Sequence, residues 1–497
     1  MLNFGPNNKQ SLKKSLQQDN VQRFAILRSA LPIGRIAIAI LMCGGVLSSL
    51  PALGASLESS VGYTTEAINS FFIDETIDAY HTQDSLSIFW EIDVTTKRIY
   101  PVQYGGGNYG DLSVDIKNAS VAYAIGPLSF YLGKMPVKDE IDSPYSLFLS
   151  GASPSLMTGG YRFTYHAFSF SDQWIGLDQN IQRDLYPTML DGMYADRGMV
   201  LKTYAFNIGA FRLGYQDVIL FTGNYFDIDL FGIVAPSILV QDILTSAAGM
   251  PGARSGNMNS VMGFFAEFKK GRVDAYAQLL IDDFNMQRFL HLWSYENPDK
   301  IAWSLGSKID LSRGKLGLYF AGATRYAFES VSDEFYSYTI HAGSAIHSGG
   351  EIVEIPIENQ MLGYVHGENN IAFMVNWAGL ISQLNTKTGI ECVISGSKAP
   401  TNPWHNGEPW AELGTQLLND QVLEVKLLLD LDLSYTWKRL TFFMRAKGGY
   451  VFNELNPVYS SADDSLKEPV FVPQAGDSRP IFELSIGALF DVDLGFY

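Results

Sequence analysis

The sequence predicts an all-β fold, a transmembrane antiparallel β-barrel of about 18 strands within a range of roughly 16 to 20. Three observations predict it. The stretch LEVKLLLDLDLSYTW, Leu423 to Trp437, is apolar at every odd position and carries Glu424, Lys426, Asp430 and Asp432 at even ones. Successive side chains in a strand point to opposite faces, so one face is apolar throughout and the other is charged. A helix would scatter those charges around its surface. The stretch also exceeds the 5–6 residues of a typical soluble strand, and its apolar face ends in Tyr435 and Trp437, side chains suited to the boundary between acyl chains and headgroups. The second observation is composition: 47% apolar and 13% aromatic residues with 18% charged, against about 25% charged in soluble domains. The third is that the pattern recurs along the chain, while no stretch after the N-terminal region reaches 18 consecutive apolar residues. Closed barrels are the β structures that satisfy every backbone group in lipid.

Taken from the N-terminus, six bases (Lys9, Lys13, Lys14, Arg23, Arg28, Arg35) precede the apolar run Ile36 to Leu47, and small residues follow, with Ala52 and Gly54 in a small-x-small pattern. Residues 1–55 therefore read as a cleaved signal peptide, which places the barrel in a bacterial outer membrane. Cleavage removes Cys43 and leaves Cys392 as the only cysteine, so no internal disulfide is expected. Losing six bases and one acid takes the net charge from −17 to about −22, which disfavours nucleic acid as a partner. Residues 56–80 form a short N-terminal segment, read either as a helix capped by Thr64 or Thr65 or as a first strand. Residues 81–497 are the barrel.

Within it, Met199 to Phe221 reads as a hairpin around Asn207–Gly209. Val273 to Asp282, Lys315 to Phe328 and Phe335 to Ala345 read as strands. Asn285 to Asp299 is a long insert whose side the sequence does not assign. Lys438-Arg439 is a short turn into the alternating run from Leu440. Lys398 to Gln421 and Asn453 to Pro480 are long loops, and short and long connections should alternate. The last segment alternates Ile486, Ala488, Phe490, Val492, Leu494 and Phe496 with polar and small residues, as a closing strand handed to the barrel-assembly machinery would.

Several stretches, in order, carry a family likeness: GPLSFYLGKMP (Gly126 to Pro136), SLFLSGASPSL (Ser146 to Leu156), RFTYHAFSF, LKTYAFNIGAFRLGYQDVILF, VDAYAQLLIDDF, KIAWSLGSKI, YSYTIHA and MLGYVHGENN. Over Asp111 to Asn370 this order resembles the capsule-assembly Wzi family of outer-membrane barrels. The resemblance implies an 18-stranded barrel that holds capsular polysaccharide at the cell surface, and a glycolipid or another surface glycan is equally compatible. The likeness is divergent, since the helical region that precedes the barrel in the family is largely missing here.

Catalysis is not expected. The seven histidines are scattered; His341 and His347 lack a metal spacing, and HExxH, CxxC, GxSxG, P-loop and Rossmann patterns do not occur. His166 near Ser169 or Ser171 has no acid nearby in sequence to orient it. Paired acids at Asp282-Asp283 could hold a cation but more commonly sit solvated at a strand end. No cofactor or metal is implied.

The binding candidates are loop residues. Trp404, His405, Asn406, Glu408 and Trp410 lie in one polar loop, and Trp293 and Tyr295 in another. Indole faces stack on sugar rings while carboxylates and amides fix hydroxyls; the same indoles would equally serve an aromatic girdle. Glu424, Lys426, Asp430, Asp432, Arg445, Lys447, Asp491 and Asp493 should line the lumen, either cross-linking the wall or forming a charged eyelet. Two functions follow: a surface-glycan-binding barrel, or a porin-like, substrate-specific channel. Lipid is a partner in both, and a monomer is favoured.

Overall fold

In the computed structural model the described residues are 53–65, 70–96, 107–109, 112–179, 194–246, 258–283, 298–329, 337–348, 351–401, 415–458 and 468–493. Within the unit Ser56–Asp493, eighteen strands form a closed antiparallel barrel. They are β1 (Leu53–Thr64), β2 (Ser70–Gln83), β3 (Leu86–Thr95), β4 (Leu112–Ile125), β5 (Leu128–Met135) and β6 (Leu156–Tyr165). Then come β7 (Phe168–Gly176), β8 (Arg197–Ile208), β9 (Phe211–Thr222), β10 (Met258–Lys270), β11 (Val273–Asp283) and β12 (Lys300–Leu311). The last are β13 (Gly314–Ala323), β14 (Asn370–Ile381), β15 (Leu384–Ser395), β16 (Glu424–Trp437), β17 (Leu440–Phe452) and β18 (Arg479–Asp493). Each strand pairs with its neighbour in sequence, and β1 pairs with β18 to close the ring, from Ser56 opposite Asp493 to Thr64 opposite Ser485. Closure leaves no open edge to lipid.

Eight of the connections are two-residue turns, at 84–85, 126–127, 166–167, 209–210, 271–272, 312–313, 382–383 and 438–439. In seven of them the first residue is left-handed, among them Asp84 (φ 52°), His166 (φ 53°), Gly209 (φ 61°) and Lys438 (φ 59°). That backbone twist matches a tight antiparallel hairpin. All eight lie at one end of the barrel, and the longer connections lie at the other. The strand ends that flank the insert Asn285 to Asp299, Asp283 of β11 and Lys300 of β12, lie at the long-loop end; residues 284–297 lie outside the described residues.

Two expectations change and one is refined. Residues 56–80 are not a separate segment before the barrel; they carry most of β1 and β2, because Ser70–Gln83 alternates as a strand and pairs with β3 from Asp74 opposite Thr95. The turn expected around Asn207–Gly209 falls at Gly209-Ala210, at the end of that range. The run Phe335 to Ala345 is not a strand over residues 337–344, where only Thr339 bridges Met361, because this segment lies inside the barrel, not in its wall; its last residue opens a short strand, Ala345–Ser348, paired with Glu351–Glu354.

The wall is two-faced. On β16, Leu427 and Leu429 are 43% and 51% exposed, whereas Leu428 between them is 8% exposed. The same outward band includes Phe130, Leu132, Phe206, Phe211, Leu213, Phe373 and Ile390. Apolar surface on that scale, encircling a closed sheet, is a lipid-facing surface.

Candidate functional site in the barrel lumen

Two long connections fold inward instead of outward. The connection 136–155, between β5 and β6, brings Val137, Tyr145, Leu147, Phe148 and Leu149 into the lumen. The connection 324–369, between β13 and β14, adds Phe328, Tyr338, Ile340, Leu362 and Tyr364. Together they pack on inward residues of β6 to β15, including Leu201, Val218, Leu220, Val261, Leu280, Ala321 and Val393. A run such as Leu147-Phe148-Leu149 is too apolar to lie exposed in a loop, and the lumen wall opposite it is apolar to match.

Buried polar groups fix this plug. Asp139 accepts from Gln216 Nε2 (2.9 Å), Gln278 Nε2 (2.9 Å) and the amides of Phe148 (3.0 Å) and Glu140 (2.6 Å). Burial still pushes its carboxyl above the usual range, with those donors opposing. Glu140 bridges Arg162 and Arg212, and Arg212 also reaches Glu267 at 2.8 Å. The Tyr145 hydroxyl donates to Glu391 (2.7 Å), which also meets His366 Nε2 at 2.8 Å. Tyr338 donates to the Phe148 carbonyl (2.8 Å), and the Ser150 amide to the Leu362 carbonyl (2.7 Å), so the two connections hold each other.

A second knot lies around Asp178. It takes Arg197 Nη1 (3.0 Å) and the Ala342 amide (2.6 Å), and lies 3.1 Å from His341 Nδ1. Burial raises its carboxyl, but the His341 hydrogen bond and the Arg197 charge outweigh that and hold it below the usual range. Arg197 also donates to the carbonyls of Ser337 (2.6 Å) and Thr339 (3.1 Å). Buried charged networks of this kind favour one packing. Glu358, in the short helix α1 (Ile357–Gln360), pairs with Lys426 of the wall at 2.8 Å. Burial acts upward on Glu358, yet the Lys426 charge brings it down to about 2. Lys398 donates to the His366 carbonyl at 2.6 Å, and burial lowers its ammonium to about 8.

The opposite side of the lumen is different. A cavity of about 780 Å³ is lined by β1 to β3 and β14 to β18. Six carboxylates face it, from Glu58, Asp74, Asp93, Asp430, Asp432 and Glu483, against the bases Lys387, Arg445 and Lys447. Thr95 and Thr76 hydrogen-bond Asp74 and Asp93 on its rim. This is an unfilled, net acidic compartment beside a filled, apolar one.

The residues singled out in the sequence fall in several places. Glu424 is buried and accepts the Leu455 amide at 2.9 Å, which ties down the hairpin Leu455–Val458/Val470–Pro473. Lys426 holds the plug rather than an eyelet. Asp430 and Asp432 stand opposite Lys447 and Arg445 across β16 and β17 and line the cavity; the Arg445–Asp432 pair, 3.8 Å apart and half-exposed, is loose. Asp491 is exposed and stands opposite Glu58; Asp493 is defined only by its backbone register with Ser56. Trp404, His405, Asn406, Glu408, Trp410, Trp293 and Tyr295 lie outside the described residues. Asp282 contacts Asn259 Nδ2 (2.9 Å) and Lys300 (3.8 Å). Among the described residues no group of three His, Cys, Asp or Glu is placed to hold a metal ion. The plug residues Asp139, Glu140, Tyr145 and Glu358 were not anticipated; the one signal for them was a strongly apolar triplet between Ser and Pro residues in a connecting segment.

No family model and no curated protein matches the sequence. Among solved structures, the chain is similar to Wzi of Escherichia coli, an outer-membrane protein involved in group 1 capsule assembly and described as a carbohydrate-binding β-barrel. The identity is 12%, with 93% of this chain and 88% of that one covered at a TM-score of 0.47. It is also similar to Pseudomonas aeruginosa OccK1 (10% identity, 89% and 98% covered, TM-score 0.44) and Acinetobacter baumannii OccAB4 (9%, 90% and 100%, 0.43). Ligand and activity therefore rest on this chain's own geometry, which is that of a closed transmembrane β-barrel with a partly filled lumen.

Proposed function

We propose that this outer-membrane barrel works at the cell surface by binding or anchoring a glycan, not by passing solutes through a wide pore. The observation that carries the reading is the plug. A barrel of about 18 strands is wide enough for water, and this one fills much of that width with a dry core held by charged and amide networks. A lumen spent on packing leaves the outer loops as the working surface. The loop Ala399 to Glu412, with Trp404 and Trp410 for stacking and Asn406, His405 and Glu408 for hydroxyls, is the proposed contact, and Trp293 and Tyr295 the second. Export by the 1–55 signal peptide and assembly through β18 belong to the same proposal.

The test is monovalent, because a polymer engages many barrels at once. A short surface oligosaccharide of the source organism is titrated against purified barrel, wild type beside Trp404→Ala/Trp410→Ala, with folding checked by heat-modifiable gel mobility. A 5- to 150-fold loss of affinity is expected, from two stacking contacts of about 0.5–1.5 kcal/mol each. Unchanged affinity in a folded double variant removes this loop, and no binding by wild type removes the glycan reading. A second reading, a substrate-specific channel, is favoured by the acidic cavity alone; it predicts a steady conductance that favours cations.

A further inference from the structure

The barrel exterior carries a row of charges where lipid should be. Side-chain parity sends Leu201, Val218 and Gln216 into the lumen, where Leu201 and Val218 join the plug and Gln216 meets Asp139. The alternate positions on the same strands point outward: Phe206 and Ile208 on β8, Phe211 and Leu213 on β9 are all exposed on the lipid face. Lys202 and Asp217 belong to that outward set, as does Asp172 on β7, where Gln173 points inward with Thr203 and Leu201. The three are direct cross-strand neighbours, Asp172 opposite Lys202 and Lys202 opposite Asp217. Asp172 is the fifth residue of β7, Asp217 the seventh of β9, and Lys202 the seventh from the end of β8, each counted from its two-residue turn. At about 2.3 Å of depth per tilted residue they lie about 12–16 Å from the turns, near the middle of an apolar band about 25 Å tall.

Yet all three are buried. The cover is the connection from β9 to β10. It leaves the long-loop rim and runs back down the outside of the barrel, then returns as helix α2 (Ser237–Ser246). Its polar backbone meets the charged row: the Gly232 amide donates to Asp172 (2.8 Å), the Ser237 amide to Asp217 (3.0 Å), and Lys202 Nζ to the Ala235 carbonyl (3.0 Å). Trp174 Nε1 donates to the Tyr225 carbonyl (2.8 Å), and Leu230 and Val240 pack on Val200, Ile219 and Phe221. The face turned away from the barrel is apolar: Ile228, Val234, Leu239 and Ile243 are 66%, 61%, 55% and 67% exposed.

We propose that residues 223–246 form a flap embedded in the outer leaflet, whose apolar face takes lipid acyl chains and whose polar underside seals the Asp172–Lys202–Asp217 row. Water is the wrong solvent for that outer face, and lipid is the wrong solvent for the row beneath it. The occupant is lipid because the flap borders the barrel's own outward apolar band, through the neighbouring Leu213 of β9 and Phe264 of β10. The row and the flap need each other: a charge in the wall demands a backbone to pair with, and a loop at this depth demands partners for its amides and carbonyls.

The test uses the full barrel in proteoliposomes with Cys392 replaced by serine. Nitroxides are placed at Leu239→Cys and Ile243→Cys, with Leu429→Cys as the lipid-facing reference and Asp84→Cys at a turn as the aqueous one. Collision with oxygen and with a water-soluble nickel chelate is read by electron paramagnetic resonance. The flap positions should match Leu429→Cys, with nickel collision at least about tenfold below Asp84→Cys because the polar chelate is kept out of hydrocarbon. Nickel access equal to Asp84→Cys would overturn the proposal, as would spin–spin broadening, which would put a second copy of the chain on this face. In the same assay Lys202→Met should mobilise the Leu239→Cys label; an unchanged spectrum in an assembled variant would show that the charged row does not hold the flap. If Lys202→Met fails to assemble, the labels on the otherwise unaltered barrel still decide the outcome.

Discussion

The two sides of the lumen are built from the same alternating strands and reach opposite ends. Along β6 to β15 the inward positions are Leu201, Val218, Leu220, Val261, Leu280 and Ala321, and two chain connections cover them. Along β16 to β18 and β1 to β3 the inward positions include Asp430, Asp432, Arg445, Lys447 and Glu58, and a cavity faces them. Strand pairing is equally regular on both sides, so the backbone does not cause the difference. What differs is the solvent that each inward row is built for: protein on one side, water on the other. An inward row of aliphatic residues in a wide barrel therefore predicts a plug before the plug is identified.

The largest effect that breaks this comparison should come from Tyr145→Ala. It removes a fully buried ring and takes from Glu391 the hydroxyl donor of Tyr145, at a cost of about 3–5 kcal/mol. Denaturant unfolding should register the loss, while the barrel wall itself still assembles. Next, Leu429→Arg places a charge on the lipid face near mid-bilayer, costing about 2–4 kcal/mol, whereas Asp430→Arg one residue along faces the cavity and should be tolerated. Heat-modifiable mobility compares them; equal behaviour would show that the strand does not separate lipid from lumen.

A smaller effect follows from acid. The carboxyl of Glu358 sits at about 2 beside Lys426, below its ordinary value of 4.5, so its stabilisation is present above pH 4.5 and fades as pH falls toward 2. Its side chain is 39% exposed, and solvent screening keeps the pair to about 1 kcal/mol or less. Protease cleavage within the plug should rise over that range, and Glu358→Gln should flatten the response. The smallest effect is Arg445→Ala: its contact with Asp432 is 3.8 Å and half-exposed, so stability should change by less than about 0.5 kcal/mol in the same unfolding assay.

How much of this was legible follows from where a pattern has one meaning. The alternation at Leu423 to Trp437 has one, and the barrel wall and its turn at Lys438-Arg439 followed from it. Tyr338, Ile340 and Ala342 alternate as well, which made 335–345 look like a strand; yet Ser337, Thr339 and His341 between them are also buried. Alternation records two different neighbours, not two different solvents, and inside a lumen both faces are protein. Lys426 pairs with Glu358, which lies 68 residues away in a connection, and sequence spacing does not bring the two together. The outward Lys202 and Asp217 broke the apolar parity of β8 and β9 in plain view; they make sense once the covering flap is seen.

The central claim is that the dry side of the lumen closes the barrel. Single-channel recording of the purified protein in a planar bilayer tests it most directly, wild type beside Tyr145→Ala. Little or no steady conductance is expected from wild type, with larger and noisier openings once the plug loses its central ring. A large, ohmic conductance from wild type, unchanged in Tyr145→Ala, would contradict the account and make the acidic cavity the lining of an open pore.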